Sequence, residues 1–140
     1  MTSPTSAATS GPTHIHPLRV YWEDTDASGV VYHANYLRWF ERARTEWLRA
    51  LGYSQDKLMS EVGIAFTVAS IDILYRRPAR LDDQVEVFTS IAELKNVSLI
   101  FSQVLRRTEA PDEVLAKASV RVACVDAKTF MPKRIPALGW

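Results

Sequence analysis

Cysteine is almost missing from this chain: Cys124 is the only one in 140 residues. A disulfide framework is therefore excluded, and a structural zinc site has too few thiolates to form. Cys124 itself falls within an apolar alternation and reads as a small buried hydrophobe. Long apolar runs are also lacking; none approaches the roughly 20 residues of a membrane span. The N-terminal stretch MTSPTSAATSGPTHIHP has neither a basic start nor an apolar core, so it does not read as a secretory signal, and a cytoplasmic location is the default expectation. Nor does either sign of charge dominate, because 17 basic residues face 16 acidic ones for a net charge of +1. That balance disfavours nucleic acid and anionic membranes as partners. With only five glycines, the chain has no glycine-rich phosphate loop.

What remains is ordinary for a folded domain: 47% apolar and 24% charged residues are enough for a core without staples. Residues 1–16, rich in Ser, Thr, Pro and Ala, read as a disordered tail, and residues 17–140 as one domain. His14 and His16 end that tail. No further ligand lies near them, so they read as solvated residues rather than as a metal site.

The densest information lies between Val20 and Arg49. A strand is expected over Leu18–Glu23, with Leu18, Val20 and Trp22 on its buried face. It runs into Asp24-Thr25-Asp26-Ala27-Ser28-Gly29, a cluster of turn and capping residues. From about Asn35 the period becomes helical. Leu37, Phe40, Trp47, Leu48 and Leu51 fall on one stripe, and Gly52 stops it. Ser54–Glu61 reads as a short second helix with Ser54 as N-cap, ended by Gly63. Strands follow over Ala65–Tyr75, Val85–Leu94, Val97–Arg107 and Val114–Cys124, joined mostly by tight turns. Ala65–Tyr75 is apolar on both faces, which predicts a well-covered strand. The fold class is α+β, with one long helix against five antiparallel strands. One helix cannot cover both faces and edges of such a sheet, so a second subunit is expected to complete the cover.

The motif Arg19-Val20-Tyr21-Trp22-Glu23-Asp24-Thr25-Asp26, Gly29-Val30-Val31-Tyr32-His33, Asn35-Tyr36 and Glu41-Arg42-Ala43-Arg44-Thr45-Glu46 resembles the hotdog-fold acyl-CoA thioesterases of the 4-hydroxybenzoyl-CoA thioesterase family, in particular its Tol-Pal-associated subgroup. The resemblance spans residues 18 to about 127, though the later strands match only in length and alternation. It implies a hotdog fold, a long central helix wrapped by the five-stranded sheet, and active sites between the subunits of a homo-dimer or homo-tetramer. It also implies that Asp26 is the catalytic carboxylate, that His33 assists, and that the backbone N–H groups of Tyr32 and His33 at the helix start bind the thioester oxygen. Ser28 departs mildly from the pattern, since Ala or Gly is usual there. The implied substrate is an acyl-CoA or an acyl carrier protein thioester, with no metal or organic cofactor.

The chemistry is compatible with few groups. CoA thiolate is a good leaving group, so one carboxylate can activate water or attack the carbonyl itself. The bland alternative for Asp26 is an Asx-turn or cap acceptor, and for His33 ordinary solvent contact. Asp24 reads as structural, capping a turn or pairing with an arginine. Glu23 reads as a surface residue, and Glu41 on the helix is a rival acid. Arg76, Arg77, Arg80, Lys95, Arg106 and Arg107 are the basic residues that could meet CoA phosphates. Two other functions compete. A hydratase or dehydratase of the same fold usually needs a D-x4-H spacing, whereas Asp26 and His33 are seven apart. A non-catalytic acyl-CoA-binding protein would need neither residue.

Overall fold

The computed structural model describes residues 11–140. Five strands form a single antiparallel sheet in the order β1-β3-β4-β5-β2: β1 Thr13–Arg19, β2 Ile64–Tyr75, β3 Gln84–Leu94, β4 Ser98–Arg107 and β5 Val114–Asp126. The three C-terminal strands are a meander. Lys95 N–H donates to the Ser98 carbonyl at 2.8 Å across the tight β3–β4 turn. The expected alternation holds: Val85, Val87 and Thr89 are buried in β3, and Leu115, Ala116, Ala118, Val120, Val122 and Cys124 in β5.

Helix α1, Asn35–Ala50, has 16 residues and lies across one sheet face, with its closest approach to β3 and β1. At 1.5 Å per residue it is about 24 Å long. Its buried residues are Tyr36, Trp39, Phe40, Ala43, Arg44, Trp47 and Leu48. The expected stripe is thus rotated, and Leu37 is an exposed member of it. The aromatic residues Trp39, Phe40 and Trp47 supply the large volumes that decide which face turns inward. At its C-terminus Gly52 takes a positive φ of 98°, and Tyr53 N–H donates to the Leu48 carbonyl at 2.9 Å. This satisfies a last-turn carbonyl that would otherwise lack a partner. The Ser54 hydroxyl then accepts from Lys57 N–H and opens helix α2, Gln55–Lys57, which runs on as a π-helical turn over Leu58–Val62 before Gly63.

Three expectations need correction. The first strand is Thr13–Arg19, not Leu18–Glu23, so Thr13–His16 belong to the sheet rather than to a tail. Seven residue pairs join β1 to β3, and Pro17 is tolerated because β1 is an edge. The rest of the tail, residues 1–10, lies outside the described residues. Trp22 is 79% exposed, because Trp22–Asp24 is a 3-10 turn that swings it outward. Asp24 causes this: its carboxylate accepts Tyr21 N–H at 2.8 Å and closes the turn. The opposite edge of the sheet is β2. Val68, Ile71, Leu74 and Tyr75 are all exposed in the single chain.

The C-terminal segment lacks regular structure, as its prolines suggest, yet it is packed. Trp140 lies 5.7 Å from Phe101 and 5.6 Å from Trp47, ring centre to ring centre, and Leu138 is buried.

Candidate active site

The chain turns sharply before α1. Asp26 N–H donates to the Val30 carbonyl and Tyr32 N–H to the Asp24 carbonyl, both at 2.9 Å, while Thr25 pairs with Val31. A tight loop, Asp26–Val30, closes this small hairpin, and Gly29 supplies the positive φ of 81° it requires. Asn35 ties the hairpin to the helix, donating to Asp24 at 2.6 Å. Asp24 is therefore a structural acceptor, as expected, with no arginine partner among the described residues.

Asp26 sits at the loop's tip, exposed. Its Oδ1 accepts Ser28 N–H at 2.8 Å and the Ser28 hydroxyl at 2.5 Å. The Ser28 hydroxyl, followed by the Ser28 N–H, holds the carboxyl below its usual range. Both donors favour the charged form, so the carboxylate is ionised at neutral pH. The unusual Ser28 is thus a direct partner of the proposed reacting group. The geometry also makes Asp26 an Asx-turn acceptor; the two roles coexist on one carboxylate.

His33 lies two residues before α1, next to the N-cap residue Ala34, and is exposed. Its ring lies 4.7 Å from Tyr32 and 6.3 Å from Tyr75, edge-on to the latter. Its carbonyl accepts the Tyr75 hydroxyl at 3.0 Å, which pins the helix start to the end of β2. Tyr36 accepts Ala79 N–H at 3.0 Å and meets Tyr75 edge-on at 5.2 Å. Burial pushes the Tyr36 and Tyr75 hydroxyls up in pKa, so both are neutral donors or acceptors. A solvent-open cavity of about 250 Å³ is lined by Val31, His33, Tyr36, Tyr75, Arg76, Arg77 and Pro78.

The backbone donors differ from expectation. Tyr32 N–H is already bonded to Asp24, so it is no free donor. Asn35, Tyr36 and Leu37 N–H donate to the carbonyls of Tyr32, His33 and Ala34, so the first turn also consumes donors that a helix start usually leaves open. Among the described residues, His33 and Ala34 N–H make no backbone hydrogen bond. His33 thus keeps an available N–H beside its ring, while Asp26 lies outside the cavity that His33 lines.

Sequence reasoning missed Tyr75 and Ala34. The strand-ending Tyr-Arg-Arg-Pro run marks where Tyr75 sits, but not that it reaches the helix. Of the six basic candidates, Arg76 and Arg77 line the cavity. Arg107 is engaged instead with Asp83 at 3.1 Å and Glu113 at 2.6 Å. Among the described residues no cluster of three or more His, Cys, Asp or Glu could hold a metal, and no helix is long and apolar enough to cross a membrane.

An ionised carboxylate at a loop tip and unbonded amides just before a helix are groups that acyl-transfer chemistry can use. Comparison with known proteins gives the class. The model of the Thioesterase-like superfamily matches residues 20–138, and the chain belongs to that family. Acyl-CoA thioesterase YbgC of Haemophilus influenzae is 48% identical over 120 residues, covering 86% of both chains. Acyl-CoA thioester hydrolase YbgC of Escherichia coli is also 48% identical over 120 residues, covering 86% of this chain and 87% of that one. The crystal structure of a probable thioesterase from Bartonella henselae superposes with a TM-score of 0.82 at 36% identity, covering 89% of this chain and all of that one.

Proposed function

We propose that this protein is a thioester hydrolase that converts an acyl-CoA and water into the free acid and CoA, with Asp26 as the reacting carboxylate. The observation that carries this reading is the ionised, Ser28-bonded Asp26 at the loop that leads straight into the unbonded His33 and Ala34 amides. The similarity, over 86% of the chain, to an acyl-CoA thioesterase of Haemophilus influenzae and an acyl-CoA thioester hydrolase of Escherichia coli supports the substrate class. An acyl carrier protein thioester would present the same bond.

The carbonyl oxygen is placed against His33 and Ala34 N–H, where the helix start adds favourable potential for developing negative charge. Asp26 either takes a proton from the attacking water or attacks the carbonyl carbon itself. The C–S bond then breaks and CoA leaves as thiolate; where Asp26 is the attacker, water next hydrolyses the acyl–Asp26 anhydride, releasing the acid and restoring the carboxylate. His33 orients the water or the substrate. Arg76 and Arg77, at the cavity wall, are the basic residues best placed for CoA phosphates. The helix acts as the central element that the sheet partly wraps.

A shared site follows from where the groups lie. Asp26 is exposed outside the His33 cavity, and β2 beside that cavity is an uncovered apolar edge. A homo-dimer or homo-tetramer that pairs β2 edges would enclose both, with each copy acting as one domain from β1 onward.

Asp26→Asn tests the reading, because it keeps shape but removes charge and basicity. Turnover on acyl-CoA should fall on the order of 10²–10⁴-fold with melting temperature preserved. His33→Ala should cost less, since it retains the backbone amide. Asp24→Asn should act mainly on stability, because Asp24 holds Tyr21 and Asn35. Near-normal turnover in folded Asp26→Asn would move the chemistry elsewhere, with Glu41 next in line.

A further inference from the structure

A second cavity lies midway along α1. It has a volume of about 80 Å³ and is lined by Arg44, Glu41, Thr45, Leu48 and Gln55 together with Phe66, Val68, Phe101 and Val122. Arg44 is only 9% exposed, yet among the described residues no carboxylate lies within ion-pair distance of it. Its one hydrogen bond runs to Gln103 Oε1 at 2.9 Å. The Gln103 amide is itself engaged with the Phe40 carbonyl and the Thr89 hydroxyl. A guanidinium has five N–H donors, and a buried charge that is poorly paired is costly. Arg44 lines the cavity, and among the described residues its side chain has no hydrogen-bond partner besides Gln103.

Both this cavity and the His33 cavity are lined by residues of α1 and β2, the two walls of the groove between them. On α1, Leu37, Glu41, Arg44 and Leu48 recur at three- and four-residue steps and share a face, with His33 in the loop just before the helix. On β2, a bulge between Val68 and Ser70 resets the alternation. Phe66 and Val68 before it therefore share a face with Ile71, Ile73 and Tyr75 after it. Tyr75 meets His33 at one end of the groove, and Phe66 and Val68 meet Arg44 at the other. Leu37, Val68 and Ile71, all partly exposed, give the stretch between them apolar walls. Nine residues separate the helix start at Asn35 from Arg44, about 14 Å along the axis.

We infer that the groove takes the acyl chain and that Arg44 and Glu41 select a hydroxyl at its far end, which makes hydroxyl-ended acyl thioesters the preferred substrates. The inference rests on the thioesterase reading and deepens it. A carboxylate only accepts hydrogen bonds and a guanidinium only donates them. A hydroxyl does both, accepting from Arg44 while donating to Glu41. A methyl end would leave the Arg44 donors unmet, and a carboxylate end would meet repulsion from Glu41.

The test compares methyl-, hydroxyl- and carboxyl-ended acyl-CoAs at matched chain lengths. At the best length, kcat/KM for the hydroxyl-ended series should exceed the methyl-ended one by about tenfold or more. Arg44→Met should erase that preference. Glu41 is exposed, so Glu41→Gln remains informative if Arg44→Met does not fold; it should relieve the discrimination against carboxyl-ended chains. Equal rates for hydroxyl- and methyl-ended series overturn the inference alone. So does dissociation of the oligomer in Arg44→Met with unchanged selectivity, which would assign the Arg44 charge to a partner subunit. Loss of turnover on all three series in Glu41→Gln would place Glu41 in the chemistry and overturn it as well. Cleavage of none of them by the unsubstituted protein overturns the thioesterase reading and this inference together.

Discussion

Ser28 is the residue whose effect is most directly readable. Its hydroxyl and N–H both donate to the Asp26 carboxylate and hold its pKa down. A lowered pKa makes Asp26 a weaker base but keeps it charged, so activity that needs the carboxylate is retained into the acidic range. Ser28→Ala removes the hydroxyl donor and leaves the N–H. The Asp26 pKa should then rise, and the acid limb of kcat/KM against pH should move to higher pH. A pH profile of the two proteins checks this, with melting temperature as the control for folding. An acid limb that does not move would mean that another group titrates there, and Asp26 would lose its strongest kinetic signature.

At the scale of elements, β1 is the piece the sequence hid. His14 and His16 alternate with Thr13, Ile15 and Pro17, and a Ser/Thr/Pro-rich lead-in made the segment look solvated. Pairing with β3 is what organises it, and such long-range partners leave no local mark. The histidines carry a consequence. Burial lowers the pKa of both, most directly for His14, which stacks 6.3 Å from Trp47 and has Nδ1 buried without a partner. The folded chain therefore binds these protons less tightly than the unfolded one. Stability should be highest above the ordinary value of 6.5 and be lost as pH falls from there through the folded-state values. Denaturation at pH about 7.5 and about 5.5 should show a smaller stability difference in a His14→Gln/His16→Gln double variant than in the unsubstituted chain. An unchanged difference would assign the acid sensitivity to carboxylates instead. Elsewhere local signals were sufficient. Gly52 and Ser54 mark real helix ends, and the period-two run is observed in β5 from Ala116 to Cys124. The candidate site was partly legible: the turn chemistry of Asp24 through Gly29 exposed the loop. The loss of Tyr32 N–H to Asp24, and the reach of Tyr75 to His33, depend on tertiary pairing that no spacing encodes.

At the scale of the molecule, the sheet ends in an edge that is hard to reconcile with a lone chain. Val68, Ile71, Leu74 and Tyr75 expose apolar surface along β2, and its outer N–H and C=O groups face no strand among the described residues. Edges of this kind pair with one another unless charge or proline blunts them. Asp72 is the one charge within β2, while Arg76, Arg77 and Pro78 lie just beyond it. The free length from Thr67 to Asp72 is therefore open to a second copy about a two-fold axis, which sets the same patch against itself. Ile71→Lys should oppose that pairing directly, because it sets like charges near the axis in both copies at once. Ile71 is 36% exposed, so a folded chain tolerates the change. Light scattering should report the mass falling toward the single chain's 15.8 kDa, with the circular dichroism spectrum preserved. Turnover should fall together with the mass, since the proposed shared site closes Asp26 onto the His33 cavity only when β2 is covered. Full activity in a demonstrated monomer would sink the shared-site model and place Asp26 and His33 in one chain's own cleft.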